Sequence, residues 1–119
     1  MTTSTDIRNL SEDQFKTILL FASDAAHQAA QQYLDKNFDG QDGGPCGFGW
    51  VEIYGVRSNS RTGKLLAMYG IRKLDRYFYW HNPSAMPIQS IDAKYAAACA
   101  AARVLRAYGF RAEAADRLD

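Results

Sequence analysis

Two alanine-rich helical segments and two strand-forming stretches predict a small α+β protein. The helical segments fall near residues 10–37 and 90–109, and the strand-forming stretches are residues 48–56 and 77–81. We expect a three-stranded sheet, antiparallel or mixed, covered on one face by the two long helices, with an additional short helix. The 119 residues, 47% hydrophobic and 23% charged, predict one ordinary globular domain. Its bounds are expected at residues 10–119, after a flexible arm of residues 1–9.

The first helix has a strong N-terminal signal. Ser11 and Gln14 have the spacing of a capping box, and Leu10 and Phe15 that of a hydrophobic staple. Small or apolar residues then recur at 4-3-4-3-4 spacing, which predicts one buried helical face. They are Phe15, Leu19, Ala22, Ala26, Ala29 and Tyr33.

Residues 39–45 form a Gly/Asp-rich loop rather than a nucleotide-binding loop. A phosphate loop follows a strand and precedes a helix, whereas here a helix precedes and a strand follows. The aspartates are also too few for an EF-hand.

The strand at residues 48–56 presents two different sides. Val51 and Ile53 form the buried side, where Gly49 and Gly55 leave room for a closely packed helix. The aromatic side carries Glu52, so it is either partly wet or covered by another element.

The next stretch is ambiguous at one point. Residues 64–70 fit either a hairpin strand or a short helix closed by Gly70, and their helix-forming residues favour the helix. Residues 71–76 then read as a basic connector, and residues 77–81 as an aromatic strand.

The last helix begins at Ser90 and ends at Gly109, with Phe110 completing a Schellman closure. Its apolar face is predicted at Ile91, Tyr95, Ala98, Ala102 and Leu105. Alanine also occupies nearly every other side, so this helix can be approached closely from two directions. Residues 110–119 alternate in polarity and predict the third strand.

Charge is unevenly distributed along the chain. Residues 1–43 carry 3 Lys/Arg and 7 Asp/Glu, whereas residues 44–119 carry 11 and 6. This dipolar pattern is compatible with a homodimer. The absence of a signal-peptide pattern, of a long apolar run and of paired cysteines predicts a cytoplasmic protein with reduced thiols and no membrane contact.

Catalytic and metal chemistry have little basis in the sequence. Cys46 and His81 are the thiol and the imidazole outside helical patterns, and a Cys-His enzyme remains a third hypothesis. Zinc lacks further ligands, and no cofactor motif is present. We therefore expect no metal, no cofactor and no catalytic residues.

The best candidate for binding is a basic and aromatic segment. Arginine with aromatic residues is typical of both protein hot spots and nucleic-acid grooves. The candidate partner-binding residues are Arg57, Arg61, Lys64, Arg72, Lys73, Arg76, Tyr77, Tyr79 and Trp80.

Four short motifs resemble a group of small, uncharacterised bacteriophage and mobile-element proteins. They are the Cys-Gly-Phe-x-Trp-Val strand at residues 46–51, Asn-Pro-Ser at 82–84, Gln-Ser at 89–90 and Asp-Arg-Leu-Asp at 116–119. The group has no established activity. The resemblance implies a phage origin and a continuity of fold but no mechanism. A phage origin in turn favours a small non-enzymatic protein that binds a host protein in the host cytoplasm. An inhibitor of an antiviral-defence component is one such role.

The alternative function is nucleic-acid binding. The chain is similar to a double-stranded RNA-binding domain in its Gly-Pro entry to a strand and its alanine-rich last helix. That family has an α-β-β-β-α order and places consecutive lysines at the start of the last helix, where this chain has only Lys94.

Overall fold

A computed structural model describes residues 6–119 and confirms the α+β class. Three α-helices and a four-stranded sheet follow one another as α1 (Glu12–Phe38), β1 (Gly47–Tyr54), α2 (Arg61–Met68), β2 (Arg72–Leu74), β3 (Tyr77–His81), α3 (Ile91–Ala107) and β4 (Arg111–Leu118). The short helix predicted near residues 64–70 is therefore present, and so is the strand predicted in the final residues.

The sheet has four strands in the order β2-β3-β1-β4, and all neighbours are antiparallel. The prediction of three strands missed β2, which lies in the segment interpreted as a basic connector. Three residues are too few to show a periodic pattern. From β1 onward, the chain order β-α-β-β-α-β with β1 and β3 at the centre is the split βαβ, or ferredoxin-like, arrangement.

This topology differs from that of a double-stranded RNA-binding domain. A helix separates β1 from β2, and β4 follows the last helix and pairs with β1. Lys94, the one lysine near the start of α3, is buried, and its Nζ donates to the Gly47 carbonyl at 2.8 Å. The predicted similarity to that family's topology was therefore wrong.

Helix α3 is the centre of the molecule, with α1 along one side and β1 and β4 along the other. A Cβ on Gly49 would lie 2.7 Å from the Lys94 backbone carbonyl, so Gly49 permits the close approach of α3, as predicted. Gly55 has a different role. Its φ is +77°, and the nearest atom to a Cβ there is 3.5 Å away on Arg111, so it serves the chain turn and not helix packing.

The predicted helix ends are confirmed. Ser11 and Gln14 form the capping box, and Leu10 and Phe15 are buried beside it. Ser90 caps α3 by accepting from Ala93 N–H. Gly70 and Gly109 both have positive φ just after α2 and α3, as a Schellman closure requires.

The buried helical faces are confirmed in part. In α1, Phe15, Ala22 and Ala26 are buried as predicted, but Ile18, Ala30 and Leu34 are buried in place of Leu19, Ala29 and Tyr33. In α3 the predicted positions are buried except Tyr95, which is 39% exposed. Because alanine occurs on several sides of both helices, the apolar periodicity does not indicate which side of each helix is buried.

The predicted arm is partly structured. Residues 1–5 lie outside the described residues, whereas Ile7–Asn9 form a 3-10 turn capped by Asp6. The Thr62 hydroxyl donates to the Ile7 carbonyl, which ties this turn to α2. Within residues 6–119, no helix combines the length and the apolar character needed to cross a membrane.

Candidate functional site

The two faces of the sheet differ in how far their side chains are buried. On the helix-covered face, Val51, Ile53, Phe78 and Ala112 are all at most 1% exposed. On the opposite face, no side chain contributed by the four strands is buried. We call this surface the open face. It consists of Phe48, Trp50, Glu52, Tyr54, Arg72, Leu74, Tyr77, Tyr79, His81, Arg111, Glu113, Ala115 and Arg117.

Six rings on the two central strands form an aromatic strip along the open face. The register of β1 and β3 places Trp50 opposite His81 and Glu52 opposite Tyr79, so these side chains share one face. Ring centroids lie 6.4 Å apart for Phe48 and His81, 5.6 Å for Trp50 and Tyr79, and 5.5 Å for Tyr54 and Tyr77. Tyr79 and His81 also stack, with centroids 6.0 Å apart. Four rings therefore form one connected run, and Tyr54 and Tyr77 form a second pair beyond Glu52.

Glu52 fixes two of these rings from within the strip. Trp50 Nε1 donates to one carboxylate oxygen at 3.0 Å, and the Tyr54 hydroxyl donates to the other at 2.5 Å. The bond to the carboxylate favours the neutral phenol and raises the pKa of Tyr54 to about 12. Both rings are thus held in place before any ligand arrives.

The neighbouring groups extend this polar centre. Glu113 of β4 lies directly opposite Glu52. On the other side, the Tyr79 hydroxyl lies 3.2 Å from His81 Nδ1. Partial burial raises the pKa of Tyr79, with a further contribution from Tyr77, while Arg117 acts in the opposite direction.

Arginines flank the aromatic strip on both edges. Arg72 of β2 pairs with Tyr79, Arg111 of β4 pairs with Tyr54, and Arg117 of β4 pairs with Phe48. The Arg117 guanidinium carbon lies 5.5 Å from the Phe48 ring centroid, which is cation–π range. Among residues 6–119, none of the three forms an ion pair with a carboxylate. Their charges therefore remain available to a ligand.

The predicted basic and aromatic segment is divided between several surfaces. Arg72, Tyr77 and Tyr79 lie on the open face, but Lys73 and Trp80 point to the helix-covered face because side chains alternate along a strand. Lys73 Nζ donates to the Val56 carbonyl at 2.7 Å and lies 5.0 Å from the Phe78 centroid, so it has a structural role.

The other predicted cations lie outside the strands that carry the aromatic strip. Arg57 follows β1, Arg61 and Lys64 are on α2, and Arg76 is in the turn between β2 and β3. All four are exposed.

Several open-face residues were not among the predicted site residues. Phe48, Trp50 and Tyr54 could have been found, because the alternation in β1 already placed them on one side with Glu52. Arg111 and Arg117 carried no such signal, since their position depends on how β4 pairs with β1.

The Cys46 and His81 side chains do not form a pair in this structure. His81 is opposite Trp50, and Cys46 lies four residues from Trp50, about 13 Å along the strand. The Cys46 backbone instead forms an isolated antiparallel β-bridge with Ser90, and the Cys46 carbonyl accepts from the Asp119 N–H at 3.2 Å. No group of three or more His, Cys, Asp or Glu side chains is placed to hold a metal within residues 6–119.

The short motifs noted in the sequence meet at one end of the sheet. Besides the bridge between Cys46 and Ser90, Asp42 accepts from the backbone N–H groups of Gln89 and Ser90 at 2.7 and 3.0 Å. Asn82 N–H donates to the Gly49 carbonyl at 3.1 Å. These contacts join the start of β1 to the start of α3, so the motifs stabilise the fold there.

Comparison with family models, curated proteins and solved structures found no match to this chain.

Proposed function

We propose that this protein is a non-enzymatic binding protein whose open face receives a macromolecule. The observation that carries the proposal is the unburied aromatic strip, with arginines at both edges that form no ion pair in the part of the chain that the structure describes. Tyrosine, tryptophan and arginine are the residues that contribute most to binding energy at interfaces.

The polar contacts within the strip support this role. Because Glu52 already orients Trp50 and Tyr54, binding a ligand would not require the free energy of immobilising these side chains. Such preorganisation favours affinity, since immobilising a side chain costs about 0.5–1.5 kcal/mol.

A host macromolecule is the partner that the resemblance to phage-encoded proteins supports, with a component of antiviral defence as one proposed target. Catalysis by Cys46 and His81 has no part in the proposal, since the sheet register separates them.

The test compares two pairs of ring-to-leucine changes. Trp50→Leu with Tyr79→Leu removes the centre of the aromatic strip. Phe21→Leu with Tyr108→Leu removes another surface ring pair, stacked with centroids 6.5 Å apart on the helical side. Each tagged protein is used to capture ligands from a host lysate with and without nuclease treatment.

We expect a ligand retained by the parent and by the helical-side variant to be lost from the open-face variant. Circular dichroism and thermal melting verify that both variants are folded. Equal retention by the two folded variants would contradict the proposal.

A further inference from the structure

Resting on that proposed function, we propose that the ligand of the open face is single-stranded nucleic acid. Its bases stack on the aromatic strip, and its phosphates meet the arginines at the two edges. The juxtaposition that carries this inference is the row of rings on the two central strands between Arg72 on one side and Arg111 and Arg117 on the other.

The aromatic strip has the dimensions and chemistry of a stacking surface. From Phe48 to Tyr54 it extends six residues along β1, about 20 Å. Aromatic residues on a four-stranded sheet can stack two or three bases. Such stacking tolerates any sequence, because every base has a π-face. A duplex keeps its bases stacked on one another and would not offer them to this surface.

The charges are arranged for bases at the centre and phosphates at the edges. Glu52 lies on the central strand β1, where it would repel phosphate but can accept from base amino groups. The arginines lie on the two edge strands, Arg72 on β2 and Arg111 and Arg117 on β4, where Glu113 stands between the last two. A backbone that crosses an edge at one of these arginines therefore meets a guanidinium group, while its bases reach inward over the rings.

The same composition argues against a protein ligand. Glutamate is depleted at protein interfaces, although arginine is enriched there, and this face carries both Glu52 and Glu113. Aliphatic side chains are few, with Leu74 and Ala115 accompanying the rings. Flat π-surfaces with scattered charge suit bases better than they suit a packed protein interface.

The test is fluorescence anisotropy with labelled single strands of DNA and RNA of about 10 nucleotides, within the range of known single-strand site sizes, and with a duplex of the same sequence. We expect the single strands to bind and the duplex to bind more weakly. The affinity should fall with salt, with a slope of about −0.7 for each phosphate contacted.

Two classes of variant separate stacking from charge. Trp50→Leu and Tyr79→Leu should each weaken binding about 5- to 140-fold, equivalent to about 1–3 kcal/mol per base. Arg117→Ala should reduce the salt slope by about one phosphate contact. Arg103→Ala, at an exposed position on α3, is the matched control and should change neither quantity.

The outcomes distinguish this inference from the proposed function. If no single strand binds, but a protein from nuclease-treated lysate is retained only when Trp50 and Tyr79 are intact, the ligand is a protein and the inference is wrong. If single strands bind equally to folded Trp50→Leu and Tyr79→Leu variants, the inference is also wrong. If the binding of single-stranded nucleic acid and the capture of ligands from lysate are both independent of Trp50 and Tyr79, both proposals are wrong.

Discussion

Glu52 shows how one carboxylate can organise an aromatic surface. Its two oxygens accept from Trp50 and Tyr54, so the rings on either side of it along β1 are fixed by one group. The cross-strand position of Glu113 adds a second negative charge, which is unfavourable for the isolated pair of strands. The two carboxylates therefore lie side by side on β1 and the edge strand β4, on the face that no helix covers.

Glu52→Gln should lower the pKa of Tyr54 from about 12 toward its usual value near 10. The reason is that the carboxylate favours the protonated phenol. The measurement is a titration of phenolate absorbance, with Glu113→Gln as the control. Glu113 makes the smallest of the contributions that raise the pKa of Tyr54, so its replacement should lower this pKa less than Glu52→Gln does. A larger shift in the control would contradict this assignment.

The raised pKa also sets the direction of a stability effect. The folded state holds the Tyr54 proton more tightly than the unfolded state does. The contribution of this contact to stability is therefore complete below about pH 10 and is lost as the pH rises toward about 12. In Glu52→Gln this contribution should be reduced, as urea titrations of the two proteins across that range would show.

At the scale of elements, the tight contact between α3 and β1 is a fixed feature of the fold. Gly49→Ala should destabilise the protein by about 1–3 kcal/mol through overpacking, because its Cβ would meet the Lys94 backbone. Gly55→Ala is the comparison. Its φ of +77° makes alanine unfavourable, but a Cβ there would make only ordinary van der Waals contacts with Arg111, so a smaller loss of roughly 1 kcal/mol is expected. Denaturant unfolding measures both, and the reverse order would refute the assignment.

A second element-level contact joins the Gly/Asp loop to α3. Asp42→Ala removes the acceptor for two backbone N–H groups at the start of the helix. We expect a loss of about 1–2 kcal/mol in the free energy of unfolding, as for other helix caps. Asp116→Ala, at an exposed position on β4, should lie within about 0.5 kcal/mol of the parent.

Elements whose own residues carry a cap or a periodic pattern were predictable, and an element defined only by its pairing was not. Ser11, Ser90, Gly70 and Gly109 act within a few residues of their own position, so the sequence indicated the helix ends. β2 exists because β3 pairs with it, and its three residues carry no pattern of their own. The candidate site was predicted in part for the same reason. The aromatic strand itself indicated Tyr77 and Tyr79, whereas Arg111 and Arg117 reach the open face only through the register of β4 with β1.

At the scale of the whole molecule, small residues allow α1 and α3 to lie close together. Ala22, Ala26 and Ala30 of α1 are fully buried, as are Ala97, Ala98, Ala101 and Ala102 of α3. Ala26→Leu should therefore cost about 1–3 kcal/mol by overpacking. Ala67→Leu, at an exposed position on α2, should leave stability nearly unchanged. Thermal and denaturant unfolding would compare them, and equal stability would exclude a tight contact at Ala26.

The charge asymmetry of the sequence is only partly a difference between the two sides of the sheet. The acidic first part of the chain is mostly α1, which packs along α3 on the covered side of the sheet. The open face, made entirely by the second part, carries Arg72, Arg111 and Arg117 against Glu52 and Glu113, which is a formal net charge of +1. Most of the basic excess of the second part therefore lies elsewhere on the molecule.

The two tryptophans of the chain lie on adjacent strands but on opposite faces of the sheet. Trp50 belongs to the aromatic strip, and Trp80 packs against the hydrophobic core. Trp80→Phe would leave a single indole whose fluorescence reports on the open face. Trp50→Phe would leave one that reports on the core. Ligand contact and unfolding can thus be followed as separate optical signals from native side chains, without an attached dye.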